Sequence, residues 1–425
     1  MPKTVKKVKF RNSTFHIQQR PRDQFLTIML QTFRWARCFG IAGCSKYYWK
    51  VWGVVLLLGL TVVEIGAIWK VVKALAGWAV STTGHRSVTA RLAGATLYAN
   101  AVLSLILTWR ISSSWRKIAD FWILIERAMT ARNIPGDDDL HKKMFAVQMF
   151  FIICGLAEHI MSILAVVGLD CPPSHFLKRY ILVSHGFLLQ PNDYSVSVAI
   201  ALIILSTVAT ILWNFQDLLL VLITLGLASR YRRINSYVAN YCAENMKVVD
   251  SENLDTMEIF TWRKIREAYV KQGTLVRKVN DTVGPLILLS NSCNFYFTCL
   301  QLFLGITQGM SDTGLTQIYY LLSFIWLCIR TTLVVLSAAD VNISSKSALP
   351  YLFEYRTEAY NLEIERLQYQ LSKDYVALSG MGFFFLTKAL LLQMAGAVVT
   401  YELVLIQFDD SDHNSTIAIN ATVLA

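Results

Sequence analysis

Seven long runs of hydrophobic residues dominate the pattern along the chain. Each is near or above the ~20 residues that an α-helix needs to cross the hydrocarbon core of a bilayer. The runs occupy residues 47–72, 88–109, 143–168, 196–228, 286–309, 317–340 and 376–408. Hydrophobic residues make up 54% of the chain and charged residues 16%, which is typical of helical membrane proteins. The pattern therefore predicts an all-α membrane protein with seven transmembrane helices.

The distribution of Lys and Arg between these runs indicates how the chain is oriented, because cytosolic loops of membrane proteins are enriched in both residues. With a cytosolic N-terminus, 31 of the 40 cations fall in cytosolic segments and 4 in extracellular ones. The sequence therefore predicts a cytosolic N-terminus and an extracellular C-terminus, the reverse of a G-protein-coupled receptor. The formal net charge of +11 is explained by loops beside anionic lipid, so no nucleic-acid partner is expected.

The predicted cytosolic segments are long, and apolar residues recur at helical spacing within two of them. We expect these stretches to extend the helices into the cytosol and to pack there as one anchor domain. The predicted organisation is listed in chain order: a cytosolic segment 1–46, a six-helix ligand-binding domain 47–340 with a long cytosolic helical loop 229–284, an anchor helix 341–375, a pore-lining helix 376–408 and an extracellular tail 409–425.

The last hydrophobic run contains a weakly polar stripe. Gln393, Thr400 and Gln407 are spaced seven residues apart, so they lie on one face of a helix. Several copies of this helix around an axis would line a narrow path for cations. The alternative is a packing seam, in which small residues and glutamine hydrogen bonds join neighbouring helices. Periodicity alone leaves both interpretations open.

The residues at the end of the same run fit the outer part of a pore. Val404 and Phe408 are apolar and would constrict the path between the polar positions. Asp409 and Asp410 follow directly, and a ring of carboxylates concentrates cations at a channel mouth. These residues are therefore the candidate gate and pore mouth.

The end of this run also resembles a family signature. The stretch TYELVLIQF (400–408) is similar to the TY-five-residues-QF signature that ends the last helix of insect gustatory receptors. The seven-helix arrangement with a cytosolic N-terminus is similar too, so the resemblance covers essentially the whole chain. Glu402 after Tyr401, ALSGMGFFFLTK (377–388) and WNFQDLLL (213–220) resemble the sugar-receptor branch.

The resemblance implies a function as well as a fold. It implies a non-selective cation channel that a sugar opens and that acts in taste, in the plasma membrane of a sensory neuron. A gustatory receptor channel for a non-sugar tastant is the alternative. It further implies a homotetramer, alone or with other gustatory receptor subunits, in which each chain contributes its seventh helix to a central pore. Val404, Gln407 and Phe408 fall where the family places its gate. The 17 residues after Phe408 make a longer tail than the family usually has.

A sugar site needs paired hydrogen-bond donors and acceptors and an aromatic platform, because each hydroxyl that leaves water must be satisfied again. Ionisable residues inside the membrane are by default functional candidates. The extracellular loop 169–195 is a candidate lid over such a site. The candidate ligand-binding residues, all in predicted helices two to six, are Arg91, Tyr98, Glu158, His159, Trp213, Asn214, Asn294, Thr298, Gln301, Tyr319 and Tyr320.

Each of these candidates also has a purely structural interpretation. Glu158 can pair with Arg91 or His159 as a structural ion pair. The polar stripe on the fifth predicted helix can be interhelical hydrogen bonding. Tyr319 and Tyr320 can belong to an interfacial aromatic belt. The sequence predicts that only part of the set contacts a ligand.

Other function classes fit the sequence less well. A transporter would show repeat halves and paired broken helices, which the sequence lacks. The seven histidines are scattered, with no metal spacing and no nucleophile beside a base, so no enzyme activity, metal or cofactor is expected. Asn414 and Asn420 head sequons and are candidate glycosylation sites. The expected partners are a small sugar, permeating cations and membrane lipids.

Overall fold

The computed structural model describes most of the chain from residue 24 onwards. The described residues are 24–41, 46–76, 88–130, 134–137, 139–185, 188–189, 192, 194–245, 254–307, 314–355 and 360–423. Their side chains are described except at 74, 88–91, 254–256, 307, 405–406 and 408–423.

Helices make up nearly all of the described secondary structure. In chain order they are α1 (Gln24–Ala36), α2 (Tyr47–Leu75), α3 (Val88–Thr130), α4 (Leu140–Val167), α5 (Pro173–Ser184), α6 (Val196–Asn245), α7 (Leu254–Thr307), α8 (Gly314–Lys346), α9 (Leu349–Phe353), α10 (Leu362–Lys373) and α11 (Lys388–Val423). Six segments within the described residues are long and apolar enough to cross a membrane, and they lie in α2, α3, α4, α6, α7 and α8–α9. They coincide with the first six hydrophobic runs, so the prediction of a helical multi-pass membrane protein is confirmed.

Two helices are much longer than a bilayer requires. α6 has 50 residues and α7 has 54, and at ~1.5 Å per residue each exceeds a ~30 Å hydrocarbon core more than twofold. Apolar positions stay buried along the extensions, for example Val238 on α6 and Trp262 and Tyr269 on α7. We refer to the end of the bundle where these extensions meet α10 as the α10 end. The opposite end, where α5 connects α4 to α6, is the α5 end.

Polar side chains join the helices at the α10 end. The Tyr269 hydroxyl donates to Asn235 Oδ1 at 2.5 Å, and Asn235 Nδ2 donates to the Ser344 carbonyl at 2.7 Å, which ties α7, α6 and α8 together. Arg266 Nε on α7 donates to Glu363 Oε2 on α10 at 2.7 Å. This hydrogen bond is the main reason that the pKa of Glu363 lies below its ordinary value. The carboxylate therefore stabilises the α10 end above its ordinary pKa, and that contribution is lost as pH falls through the lowered value.

Segments 341–375 and 376–408 differ from the single helices predicted for them. The anchor segment is divided into the end of α8, α9 and α10. Residues 374–387 are not helical, and an isolated β-bridge joins Ser379 and Phe385. The chain reverses at Met381 and Gly382, whose φ angles are 54° and 83°. The two glycines beside Met381 permit such a reversal, so the last long helix begins at Lys388 rather than at 376.

The segment predicted to be the extracellular tail, 409–425, is helical in its described part, and its extracellular location stays a prediction. α11 continues as a helix to Val423. Residues 409–423 contain no Gly or Pro, the residues that most often end a helix. The sequons at Asn414 and Asn420 therefore lie on helical backbone.

α1 packs across the long helices at the α10 end. The Phe25 ring stacks on the Trp122 indole of α3, with ring centroids 4.1 Å apart. The ring also covers Gly226 of α6, where a Cβ atom would lie 2.4 Å from a ring carbon. The absence of a side chain at Gly226 is therefore what lets α1 approach α6.

We predict that Gly226→Ala displaces Phe25 and destabilises the protein by about 1–3 kcal/mol, the usual cost of overpacking. Gly94→Ala is the matched control, because a Cβ atom at Gly94 meets nothing within 4 Å. Thermal unfolding of the detergent-solubilised protein measures both. A melting temperature for Gly226→Ala equal to that of Gly94→Ala would contradict the described packing.

Candidate functional site

An ion pair lies at the centre of the membrane-spanning bundle. Arg330 Nε on α8 is 2.8 Å from Asp217 Oδ2 on α6, and the two side chains are 2% and 0% exposed. The guanidinium also lies over the Trp213 ring, 4.2 Å from its centroid. Buried charges are tolerated only when they are paired and hydrogen-bonded. The pair therefore fixes α8 against α6.

Neighbouring side chains add hydrogen bonds to both members of this pair. Ser290 Oγ donates to Asp217 Oδ1 at 2.5 Å, and Asn294 Nδ2 donates to Asp217 Oδ2 at 3.1 Å. Asn294 Oδ1 in turn accepts from Arg330 Nη2 at 3.2 Å and from Trp213 Nε1 at 3.0 Å. These bonds bring α7 into the same assembly.

Asn214 adds a third contact between α6 and α8. Its Oδ1 accepts from Arg330 Nη1 and from Trp326 Nε1, both at 3.0 Å. Its Nδ2 donates to the Thr210 carbonyl on its own helix at 3.0 Å. We call the full set the central polar network: Trp213, Asn214, Asp217, Ser290, Asn294, Trp326 and Arg330. The structure thus brings together three predicted site residues, Trp213, Asn214 and Asn294.

A second chain of polar contacts joins α4, α7 and α8. Ser323 Oγ donates to Glu158 Oε1 at 3.2 Å, and Gln301 Nε2 donates to Ser323 Oγ at 2.9 Å. The Tyr320 hydroxyl donates to the Gln301 carbonyl at 2.6 Å, and the Tyr319 hydroxyl lies beside Ser323. We call Glu158, Gln301, Tyr319, Tyr320 and Ser323 the Glu158 branch.

Charge connects the two groups. Arg330 lies within electrostatic range of Glu158 as well as of Asp217. Of the pairings expected for Glu158, the one with His159 is not observed, because His159 Nε2 lies 3.1 Å from the Thr207 hydroxyl instead. The Arg91 side chain lies outside the described residues. The cation that faces Glu158 in the described bundle is therefore Arg330.

The structure does not bring every predicted residue to these groups. The Thr298 hydroxyl donates to the Asn294 carbonyl on its own helix at 2.8 Å, which satisfies its donor locally. The Tyr98 hydroxyl lies 2.6 Å from Nε2 of His185, at the end of α5. Tyr98 and His159 therefore make contacts away from the Glu158 branch.

α5 covers the bundle at the α5 end. It begins at Pro173, a residue suited to the first turn of a helix, and it buries Tyr180 and Ile181 against the bundle. The following His185 is buried too. Burial, and to a smaller extent the charge of Lys70, lower the pKa of His185 to about 4. The histidine is therefore neutral at physiological pH, and its hydrogen bond with Tyr98 joins the end of α5 to α3.

The residues that the sequence prediction missed are the charged centre, Asp217 and Arg330, and its partners. The available signal was that each is an ionisable residue within a hydrophobic run, at 196–228 and 317–340. One acid and one base in two such runs are expected to pair. Ser290, Ser323 and Trp326 gave no comparable signal in the sequence.

The predicted pore stripe lies on one face of α11. Gln393, Thr400, Val404 and Gln407 are exposed in the single chain, and the opposite face packs against α7 and α8. The Thr400 hydroxyl is satisfied within the helix, since it donates to the Gly396 carbonyl at 3.0 Å. The face is therefore uncovered in one chain, and its role stays a prediction. The remaining predicted residues on α11 have side chains outside the described residues: Phe408, Asp409, Asp410, Asn414 and Asn420.

These features define a helical multi-pass membrane protein with the fold of the insect olfactory receptors. The structure of the insect olfactory receptor OR5 from Machilis hrabei matches with a TM-score of 0.65 and 11% identity, over 91% of this chain and 100% of that one. The same receptor in complex with eugenol matches with a TM-score of 0.63. At this identity the likeness shows the fold alone.

Sequence comparison identifies the family. The family model described as the trehalose receptor matches residues 56–417. The chain therefore belongs to the trehalose receptor family, among the sugar gustatory receptors of insects.

Individual relatives come from Drosophila melanogaster. Gustatory receptor for sugar taste 64a is 31% identical over 314 residues, which are 71% of this chain and 65% of that protein. Gustatory receptor for sugar taste 64f is 28% identical and also covered over 65% of its length, and gustatory receptor 5a for trehalose is 29% identical and covered over 67%. The chain thus spans about two thirds of the length of these relatives.

The central polar network leads to a prediction on stability. Arg330→Met leaves Asp217 as an unpaired buried charge and is expected to cost roughly 3–5 kcal/mol. Adding Asp217→Asn to the same chain removes that charge and is expected to recover part of the loss. Surface expression and melting temperature measure both variants. A double variant no more stable than Arg330→Met would contradict the pairing.

Proposed function

We propose that this protein is a sugar-gated, non-selective cation channel that acts as a gustatory receptor. The observation that supports it best is the buried polar assembly, in which the Glu158 branch adjoins the ion pair of Asp217 and Arg330. Membership of the trehalose receptor family supports a sugar as the ligand. The fold shared with an insect olfactory receptor supports a chemoreceptor architecture.

The Glu158 branch is the better candidate for the sugar site than the central polar network. Within the network, Asp217 and Arg330 pair with each other and hydrogen-bond to their neighbours, although Arg330 Nε meets Asp217 through the ion-pair contact alone. One face of Trp213 lies against Arg330, and its ring centroid is 4.5 Å from that of Phe297, so it offers no free platform. Gln301 Oε1, in contrast, has no hydrogen-bond partner among the described residues.

The chemistry of the branch suits a polyhydroxylated, uncharged ligand. The Glu158 carboxylate and Gln301 Oε1 accept hydrogen bonds from sugar hydroxyls, and Ser323 can donate or accept. The Tyr319 hydroxyl lies beside Ser323, and in the proposal its aromatic ring packs against the apolar side of a sugar ring. Because each bond replaces one with water, affinity is modest, whereas a sugar that lacks a key hydroxyl is rejected more sharply.

The assembly and its orientation belong to the proposal. The basic loops favour a cytosolic α10 end, and in the proposal the joined helix extensions there serve as the anchor domain. Four copies around an axis would cover the exposed face of α11 and line a pore with Gln393, Thr400 and Gln407. The receptor acts in the plasma membrane of a sensory neuron. Glycosylation of Asn414 and Asn420 requires the end of α11 to be extracellular.

Gating follows from the packing of α11 against α7 and α8, two of the helices that bear the branch. A sugar that bridges α4, α7 and α8 rearranges the parts of α7 and α8 that lie between the ion pair and the α5 end, and α11, which packs on both helices, moves in response. The sugar must bind the conducting arrangement more tightly than the resting one for this to open the pore.

The experiment expresses the chain alone and records from outside-out patches without nucleotides while sugars are applied one at a time. Glu158→Ala is expected to raise the half-maximal sugar concentration (EC50) by about tenfold or more with ion selectivity unchanged. Gln407→Ala is expected to change selectivity or conductance with the EC50 unchanged. Glu365→Gln, an exposed carboxylate on α10, is the control. A receptor that reaches the surface and passes no current with any sugar contradicts the proposal.

A further inference from the structure

One buried carboxylate on α11 belongs neither to the central polar network nor to the Glu158 branch nor to the pore stripe. Glu402 lies on the face opposite the pore stripe and is 6% exposed. Neither Oε1 nor Oε2 has a hydrogen-bond partner among the described residues. Natural proteins keep few such groups, and each calls for a physical explanation.

The surroundings of Glu402 offer no compensating positive charge in the described part of the bundle. The ionisable groups in its electrostatic range are the Cys299 thiol on α7, the Tyr320 phenol on α8 and the adjacent Tyr401 phenol on α11. None of these is a cation. A carboxylate buried among them without a hydrogen bond raises the free energy of the packed arrangement.

This cost is removed once α11 moves far enough for water or a donor to reach the carboxylate. The packed arrangement of α11 against α7 and α8 is therefore held at a higher free energy than an apolar side chain would give it. An arrangement in which α11 has turned or shifted is correspondingly easier to reach. Glu402 thus biases an equilibrium between two positions of α11.

The same carboxylate adjoins the Glu158 branch through Tyr320. The Tyr320 hydroxyl donates to the Gln301 carbonyl, and Gln301 is bonded through Ser323 to Glu158. The Tyr320 hydroxyl also occupies the space beside Gly305, where a Cβ atom would lie 2.0 Å from it. A ligand that rearranges the branch therefore acts on the phenol that faces Glu402.

We propose that Glu402 is the positioning residue through which sugar binding releases α11, because its uncompensated burial destabilises the resting packing of α11 against α7 and α8. The proposal rests on the channel function proposed above and deepens it. Glu402 does not line the pore and does not touch the sugar. It sets how much ligand free energy is needed to open the channel.

The test compares Glu402→Gln and Glu402→Met with wild type in sugar dose–response recordings. Met has a similar volume and no group to desolvate, so it stabilises the resting packing most, and Gln stabilises it less. The EC50 is expected to rise by roughly fivefold or more for Met, a typical coupling between sites, and by a smaller factor for Gln. Glu64→Gln, which alters a carboxylate on α2 with an unpartnered Oε2, is the matched control and leaves the EC50 unchanged.

The pH dependence of the EC50 distinguishes this role from a merely structural one. A proton on Glu402 makes burial less costly, so acidification favours the resting packing and raises the EC50 of wild type. Glu402→Gln lacks that proton-binding group, so its EC50 responds less to acid than that of wild type. An EC50 that is unchanged or lowered in both variants, or an acid response that Glu402→Gln retains in full, overturns the proposal.

A second measurement separates this inference from the proposed function. The melting temperature of the purified receptor is expected to rise in Glu402→Met, since a buried unsatisfied group is removed. A rise in melting temperature with no sugar current in wild type would defeat the channel function and leave the strain at Glu402 established. A melting temperature equal to or below that of wild type overturns the inference even if wild type conducts.

Discussion

The buried ion pair between Asp217 and Arg330 is the interaction on which the rest of the bundle depends. A charge at the centre of a membrane protein persists only with a partner and with its hydrogen bonds satisfied. That requirement fixes α6 against α8. Asn294 bonds to both charged residues and so fixes the position of α7 relative to these two helices. Because these helices cannot shift independently without exposing a charge to apolar surroundings, they form a rigid frame for the more adaptable groups around them.

Two groups with unpartnered polar atoms adjoin this frame, and the proposed function assigns ligand binding to one and pore opening to the other. The Glu158 branch keeps an unpartnered acceptor at Gln301, which suits a site that exchanges water for sugar hydroxyls. α11 packs against α7 and α8 but leaves its other face uncovered, and it buries Glu402 without a hydrogen bond. A paired ionic centre, with unpartnered polar groups and an uncovered helix face beside it, is the physical basis of the proposed ligand-operated movement of α11.

The hydrophobic runs predicted the membrane-length helices well. They predicted less well the start of the last helix, where a turn interrupts an apolar stretch. The first six runs coincide with membrane-length helices, whereas the seventh was extended through 376–387 because Tyr375 to Thr387 is largely apolar. The reversal at Met381 and Gly382 overrides that pattern. At the site, Trp213, Asn214 and Asn294 were predicted from residue type. Asp217 and Arg330 were missed although each is an ionisable residue within a hydrophobic run, because neither run by itself shows which residue of another helix lies opposite.

The central claim is that the sugar binds to the Glu158 branch while Asp217 and Arg330, beside it, remain paired. Cryo-electron microscopy of the receptor with a sugar that evokes current tests it most directly. The account predicts sugar density between α4, α7 and α8, within hydrogen-bond distance of Glu158, Ser323 or Gln301, with Asp217 and Arg330 still paired. Sugar bound away from these side chains, or bound between Asp217 and Arg330 with the pair broken, would contradict it.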